Sequence, residues 1–311
     1  MGTVTVSEDV LAEQFAEHRS HLIGVAYRLT STLSDAEDAV QEAWLRLSGL
    51  DEQRRSNIRE LRAWLTTVVG RICLDRLRSA TARREKYVGP WLPEPIVTPY
   101  GTPTSDDPLD TVVRDDEVRM AAMVVLDRLT PEQRVAFVLH DAFSVPFAEI
   151  GQILGCPEST ARQHASRGRR AAAEADPPPR VAMDEQRVLV EQLLAAIIGG
   201  DLDAVVKLLH PDAVLIGDSD GKARTSRRRM VGAEKIARFL FGLLEAYGPD
   251  RITGGELVLV NGDLGMAVPD MPADGARWAM SRRAVAFAAR DGQVTAIYDF
   301  VNPDKLTHLG R

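Results

Sequence analysis

Residues 157–173 gather Arg162, Arg167, Arg169 and Arg170 beside Gln163, His164 and Ser166, against a single acid. That is a set suited to a DNA duplex. A guanidinium can read a guanine edge bidentately in the major groove, a glutamine suits adenine, and the remaining cations hold phosphates. A second basic stretch, 62–86, carries seven Lys/Arg and two acids. Between them, residues 87–117 carry seven acids and one arginine. The opposite chemistry appears in Asp35-Ala36-Glu37-Asp38-Ala39-Val40-Gln41-Glu42-Ala43-Trp44-Leu45. There Asp35, Asp38, Glu42 and Leu45 share one helical face, a ring of acids around an apolar residue that suits a basic protein partner. Each run also has a plainer reading, a solvated helix face.

The elements that would position these residues follow from periodicity. The segment 147–164 has the form of a helix-turn-helix. Phe147, Ile150 and Leu154 mark a short helix, Gly155-Cys156-Pro157 breaks it, and an Arg-rich helix follows. Ala161, Ala165, Gly168 and Ala172 form a small-residue stripe on that second helix, expected to pack on the first. Thr130-Pro131-Glu132-Gln133 supplies a cap, a first-turn proline and a capping-box glutamine. Upstream, Ser34 with Glu37 predicts a capping box and a helix from Asp35, with Ala36, Ala39, Val40, Ala43 and Leu47 on its apolar side. Gly49 to Asn57 reads as a polar loop. Leu61, Leu65, Val68 and Ile72 open a helix that runs into the basic stretch. Asp75 has the spacing to pair with Arg71 and Arg78.

Residues 87–116 contain Pro90, Pro93, Pro95, Pro99, Pro103 and Pro108 and read as an extended linker. A second proline run, Pro177 to Pro179, precedes a change of pattern. Helical spacing around Leu189, Leu193 and Ile197 gives way to a strand at Ala213–Ile216. An amphipathic helix follows at Ile236–Leu243. Two hairpins then turn at Asn261-Gly262 and Asp291-Gly292, the former in a type I′ turn. Helices first and antiparallel strands later indicate an α+β domain.

Composition sets the bounds. The 311 residues are 45% hydrophobic and 27% charged, with net charge −7. That is room for several globular cores. The negative total does not exclude DNA contact, because salt screens charge over ~10 Å and the basic patches act locally. No apolar run approaches the ~18 residues of a membrane span. Met1 to Gln14 has no apolar block, so no secretion signal is expected. Cys73 and Cys156 have no metal spacing, which fits a reducing cytoplasm with no metal or cofactor.

Residues Tyr27 through Arg84 resemble the promoter-melting domain of extracytoplasmic-function sigma factors. The resemblance rests on the acidic helix and on Arg62-Ala63-Trp64-Leu65 followed by Arg71, Asp75, Leu77 and Arg78. The helix-turn-helix at 147–170 resembles the same family's reader of the −35 element, in matching order. Trp91-Leu92-Pro93-Glu94-Pro95 and Asn302-Pro303-Asp304-Lys305-Leu306 resemble signatures of a subgroup with a fused C-terminal domain. Asp220-Gly221-Lys222 is similar to part of a third, with Ser219 and Asp220 where glycines are usual.

The resemblance implies two all-α domains followed by an α+β cone like nuclear transport factor 2, of the SnoaL-like kind. The expected bounds are 10–86, a linker at 87–116, 117–175, a linker at 176–183, and 184–311. It further implies that Asp35, Asp38, Gln41, Glu42 and Leu45 contact core RNA polymerase. Asn57, Trp64, Arg71, Arg76 and Arg78 would serve the −10 element, with Trp64 equally suited to a core. Arg162, Gln163, His164, Ser166 and Arg167 would read the −35 element of promoter DNA. Trp91 to Pro95, Asp220, Gly221, Lys222 and Asn302 to Lys305 would regulate through contact with the C-terminal domain in cis. Asp218, Asp299, Tyr298 and His210 are the polar residues to inspect for acid–base work in that cone. No spacing pairs a base with an oxyanion donor, so satisfied structural groups, and not an enzyme, are expected. A small ligand in the cone's cavity stays open. So do two other classes of function: a regulator that binds duplex DNA without polymerase, and an enzyme with a DNA-binding head.

Overall fold

The computed structural model describes residues 8–84, 86–101, 109, 112, 118–307 and 309. Pro103 and Pro108 lie outside them. The described residues form two compact units that do not follow chain order. One is built from residues up to 83, from within 105–117 and from 125–176; the other from 84–104, 118–124 and 177 onward.

The first unit is helical. It begins with α1 (Glu8–Thr30), α2 (Leu33–Ser48), α3 (Glu52–Ser56) and α4 (Leu61–Arg84). Ala36, Ala39, Val40, Ala43 and Leu47 of α2 are buried, as are Leu22, Ile23, Ala26 and Leu29 of α1. These repeats at three and four residues put one apolar side of each helix into a shared core. Two details differ from expectation. Helix α2 starts at Leu33 and not at Asp35, because Ser31 adopts φ 65° and turns the chain there. Thr32 is its N-cap, and the Thr32 hydroxyl donates to Asp35 Oδ2 at 2.9 Å instead of accepting a backbone N–H. The polar loop 49–57 contains α3, whose first turn is capped by Asp51 Oδ1 accepting from the Arg54 N–H at 2.7 Å. A carboxylate cap suffices to nucleate one helical turn where no apolar periodicity announces it.

Farther along come α5 (Met120–Leu126), α6 (Pro131–Phe137), a π-helical turn at Val138–Ala142, α7 (Phe147–Leu154) and α8 (Glu158–Ala175). The Thr130–Gln133 capping box is present with both of its bonds, ahead of Pro131. Arg134 is buried at 1% exposure. It is satisfied by the Arg28 carbonyl at 2.8 Å, Asp127 Oδ1 at 2.9 Å and the Ser31 hydroxyl. A buried cation is tolerated only when its N–H groups are matched in this way. Those bonds tie α6 to the end of α1.

The second unit is a seven-stranded sheet in the order β1-β4-β5-β6-β7-β2-β3. The strands are β1 (Val97–Pro99), β2 (Leu209–Asp218), β3 (Met230–Val231), β4 (Glu256–Val260), β5 (Asp263–Val268), β6 (Arg283–Arg290) and β7 (Gln293–Phe300). Only the β2–β7 pairing is parallel. Both turn dipeptides have positive φ at both positions, 53° and 80° at Asn261-Gly262 and 52° and 73° at Asp291-Gly292. That matches the twist of tight hairpins. The strand expected at 213–216 is longer, Leu209–Asp218.

Side chains alternate between two cores. Leu215 and Ile297 face the helices α9 (Met183–Ile198), α10 (Leu202–Leu208) and α11 (Ala233–Tyr247). Ile216, Ala296 and Tyr298 face the other way, where Leu92, Met120 and Ala121 cover them. The proline-rich stretch is therefore extended, as expected, but it is no free spacer. It supplies an edge strand and part of a core.

Candidate functional site

Three groups of residues carry the candidate chemistry, and each is built by a different local device.

In the helix-turn-helix, Gly155 closes α7 at φ 69°, a conformation that costs glycine nothing. Ala161, Ala165 and Gly168 of α8 are buried. The stripe's glycine seats against α6 and not against α7: a Cβ at Gly168 would lie 2.8 Å from Phe137 Cβ and 3.1 Å from the Gln133 carbonyl oxygen. The opposite side presents Arg162, Gln163, Ser166, Arg167 and Arg170, all exposed. Arg162 stacks over the Phe147 ring at 4.8 Å and pairs with Glu158 at 2.7 Å, both from within the motif. Arg169 is held by Asp141 at 2.6 Å. His164 is half-buried, and its Nδ1 has no hydrogen-bond partner among the described residues.

On α2, Asp38, Gln41 and Leu45 are exposed, Leu45 at 60%, while Asp35 and Glu42 are half-buried. Arg76 of α4 reaches back to this face, 2.9 Å from Asp35 and 3.3 Å from Asp38. The five residues expected at the −10 element therefore do not form one cluster. Trp64, Arg71 and Arg78 recur at seven residues and align along one side of α4, whereas Arg76 points to the acidic helix. Arg78 pairs with Glu132 at 3.1 Å, and this replaces the expected pairing with Asp75. The longer reach to α6 brings a carboxylate that sequence spacing alone does not show. Asn57 is exposed at the end of α3, and Trp64 is half-buried.

The third group lies within the second unit and converges on Asp218, which is fully buried at the end of β2. Oδ1 accepts from the Tyr87 hydroxyl. Oδ2 accepts from the Leu92 N–H at 2.6 Å and from Lys305 Nζ at 2.7 Å. Lys305 also donates to the Leu92 carbonyl and lies 3.9 Å from the centre of the Trp91 ring. Asn302 donates to the Tyr87 oxygen at 2.7 Å. Ser219 to Lys222 form a tight turn with φ 49° at Asp220 and 69° at Gly221. Asp220 accepts from the Val88 N–H at 3.1 Å, and Lys222 pairs with Asp304 and Asp220. The Val88 N–H and then Lys222 hold the Asp220 carboxyl below its ordinary range. Burial, with the Asp218 carboxylate beside it, raises the Tyr87 phenol, which keeps it a donor.

All three C-terminal sequence signatures meet here: Trp91 and Leu92 at the hub, Pro93, Glu94 and Pro95 buried behind them, and the segments 220–222 and 302–305 around it. Sequence reasoning missed Tyr87 altogether. It also missed the neighbouring clamp, where Asn261 donates to the Val118 carbonyl at 2.6 Å and accepts from the Ile96 N–H at 3.0 Å. Beside it Arg119 binds Asp263 at 2.9 Å. Burial pushes the Asp263 carboxyl up, against the pull of Arg119.

Residues 14–83 match the family model for Sigma-70 region 2, and residues 119–171 match that for Sigma-70, region 4. Residues 190–297 match the SnoaL-like domain. The chain is 52% identical to the ECF RNA polymerase sigma factor SigJ of Mycobacterium tuberculosis, over 94% of this chain and 92% of that one. The chain belongs to the extracytoplasmic-function RNA polymerase sigma factors. It is also 35% identical to the probable sigma factor SigI of M. tuberculosis, over 73% of this chain and 75% of that protein. The crystal structure of M. tuberculosis SigJ superposes with a TM-score of 0.80 at 48% identity, covering 96% of this chain and 98% of that one.

The polar residues inspected for acid–base work in the SnoaL-like domain of this sigma factor are scattered. Asp218 is spent on the hub. Asp299 accepts from the Thr225 hydroxyl at 2.5 Å and faces Arg283 at 3.4 Å. His210 Nδ1 accepts from the Asp212 N–H at 3.2 Å, and Tyr298 is buried in the face covered by Leu92. Cys73 is buried, which pushes its thiol up, away from reactivity. Among the described residues no helix is long and apolar enough to cross a membrane.

Proposed function

We propose that this sigma factor docks on core RNA polymerase through α2 and directs it to promoters, and that its own C-terminal domain tunes the outcome. The observation that carries the docking step is Leu45, an apolar side chain 60% exposed beside Asp38, Gln41 and Glu42. An exposed leucine within acids offers an anchor for a basic partner surface. Trp64 and Arg71, in line on α4, with Asn57 at the preceding turn, are assigned to the −10 element. Arg78 joins them only when Glu132 releases it. Arg76 is reassigned to holding Asp35 and Asp38 in place. Gln163, Ser166 and Arg167 are assigned to base edges of the −35 element, Arg162 and Arg170 to phosphates, and His164 to a contact through its unpartnered nitrogen.

The regulatory step rests on the hub at Asp218. It joins the segment between the two DNA-binding regions to the C-terminal sheet by one buried ion pair and several hydrogen bonds. Any change in that packing changes the path of the connecting segment.

The test is in-vitro transcription with core polymerase and a promoter library, using the full chain. Leu45→Asp is expected to lose core binding. Arg167→Ala is expected to keep core binding and lose promoter selectivity. Lys305→Met is expected to alter transcript yield at equal core occupancy. Absence of both core binding and transcripts with the unaltered chain would instead favour a duplex-DNA regulator.

A further inference from the structure

Under α9 and α11 the sheet encloses an apolar cavity of about 110 Å³. Leu193, Ile197, Leu240, Val285, Phe287 and Ile297 line it, with Arg251 and Arg283 at its wall. For scale, an engineered cavity of about 150 Å³ stays dry and takes benzene. The two arginines differ. Arg251 is spent, donating to the Trp278 and Pro272 carbonyls at 2.6 Å each. Arg283 is buried, with Nη1 3.4 Å from Asp299 Oδ2 and Nε 3.4 Å from the Ser281 carbonyl. Its Nη2 is buried with no hydrogen-bond partner among the described residues. Leaving a buried guanidinium nitrogen unmatched is unfavourable, and a molecule in the cavity is placed to supply the acceptor.

We propose that this cavity binds a small, ring-sized apolar molecule bearing one acceptor oxygen, a carbonyl or a carboxylate, which takes the Arg283 Nη2 hydrogens. The apolar wall holds the body by area removed from water, and the single donor fixes its orientation. Asp299 already balances the guanidinium charge, so a neutral carbonyl is the better fit and a carboxylate the weaker one. The inference concerns binding alone and is independent of the transcriptional roles proposed above.

The experiment is ligand-observed NMR on the full chain with acetophenone, benzoate and toluene. Acetophenone is expected to bind about tenfold or more tighter than toluene, the factor that one hydrogen bond to a charged group supplies. Benzoate reports whether a carboxylate is accepted. Arg283→Met is expected to bring acetophenone down to the affinity of toluene and leave toluene unchanged. That change strands the Asp299 carboxylate, so Val285→Phe is measured beside it. It fills the cavity, keeps the ion pair, and is expected to abolish binding of all three probes. Equal affinity for toluene and acetophenone overturns the proposal. So does acetophenone binding that survives either substitution, or the absence of any binding at millimolar probe.

Discussion

Lys305 and Asp218 are 8% and 0% exposed, and they hold each other across a sequence gap of 87 residues. In that setting the pair's value lies in what its loss leaves behind. Lys305→Met strands a carboxylate that still accepts from Tyr87 and Leu92, and removing one partner of a buried pair costs about 3–5 kcal/mol. Tyr87→Phe removes one hydrogen bond to a charged acceptor and costs about 1.5 kcal/mol. Thermal melts of the two variants are expected to rank in that order, and equal shifts would mean that the hub is open to water. The other residue with a measurable signature is His21. Arg62 lies 2.9 Å from its Nδ1, Thr66 Oγ1 lies 2.9 Å from its Nε2, and the Thr66 hydroxyl donates to the Arg62 carbonyl. This arrangement needs Nδ1 as acceptor and Nε2–H as donor, a neutral ring. Burial first, then Arg62, lowers the imidazole to about 4 from 6.5. The unfolded chain therefore binds the proton more readily. The stability from His21 is whole above pH 6.5 and is lost as pH falls toward 4. His21→Gln is expected to flatten the decline in melting temperature between pH 6.5 and 5.5. An unchanged slope would mean that His21 takes up its proton without unfolding. At this scale the sequence showed which residue types were present but not their partners. Arg76 was counted with DNA until Asp35, 41 residues earlier, appeared beside it. Tyr87 gave no signal because its function lies wholly in a contact 131 residues away.

Elements were legible where the code for them is local. The helix-turn-helix needs only a short apolar repeat, a glycine that accepts positive φ and a small-residue stripe, all within 147–172. The two hairpins need only Asn-Gly or Asp-Gly between alternating strands. What failed was partner identity. Gly168 was expected to serve contact with α7, and it serves contact with α6. This makes a prediction specific to that packing. In Gly168→Ala the new methyl meets Phe137 and the Gln133 carbonyl, and overpacking of this kind costs about 1–3 kcal/mol. The gain in helix propensity returns about 1 kcal/mol. A net loss of roughly 1 kcal/mol is expected from denaturant unfolding. A stabilised variant would show that α6 and α8 can part without cost. Strand β1 marks the other limit. Val97, Thr98 and Pro99 pair with Val260, Leu259 and Val258. A three-residue strand ending in proline carries no periodicity, and proline is tolerated only because β1 is the sheet's edge.

At the scale of the whole molecule, the C-terminal unit is assembled from three separate stretches of chain, so no single cut releases it intact. A truncation ending at Asp176 removes β2 to β7 yet keeps Leu92, Ile96 and Met120, which are 1%, 2% and 1% exposed in the full chain. It also leaves β1 without β4, and Asn261 no longer caps Ile96 and Val118. Each large apolar side chain so uncovered forfeits about 1.5–3 kcal/mol of burial. The shortened chain is therefore expected to bind a hydrophobic dye and to be cleaved by trypsin after Lys86, whereas the full chain resists at that site. The same exposure makes any change in its transcription ambiguous between lost regulation and a newly sticky connecting segment. Point variants separate the two. Lys305→Met loosens the hub while the sheet still covers Leu92 and Met120. If regulation resides in the packing of residues 87–96, Lys305→Met shifts transcript yield without dye binding. If yield follows only the truncation, control lies in the bulk of the domain and the hub serves stability alone.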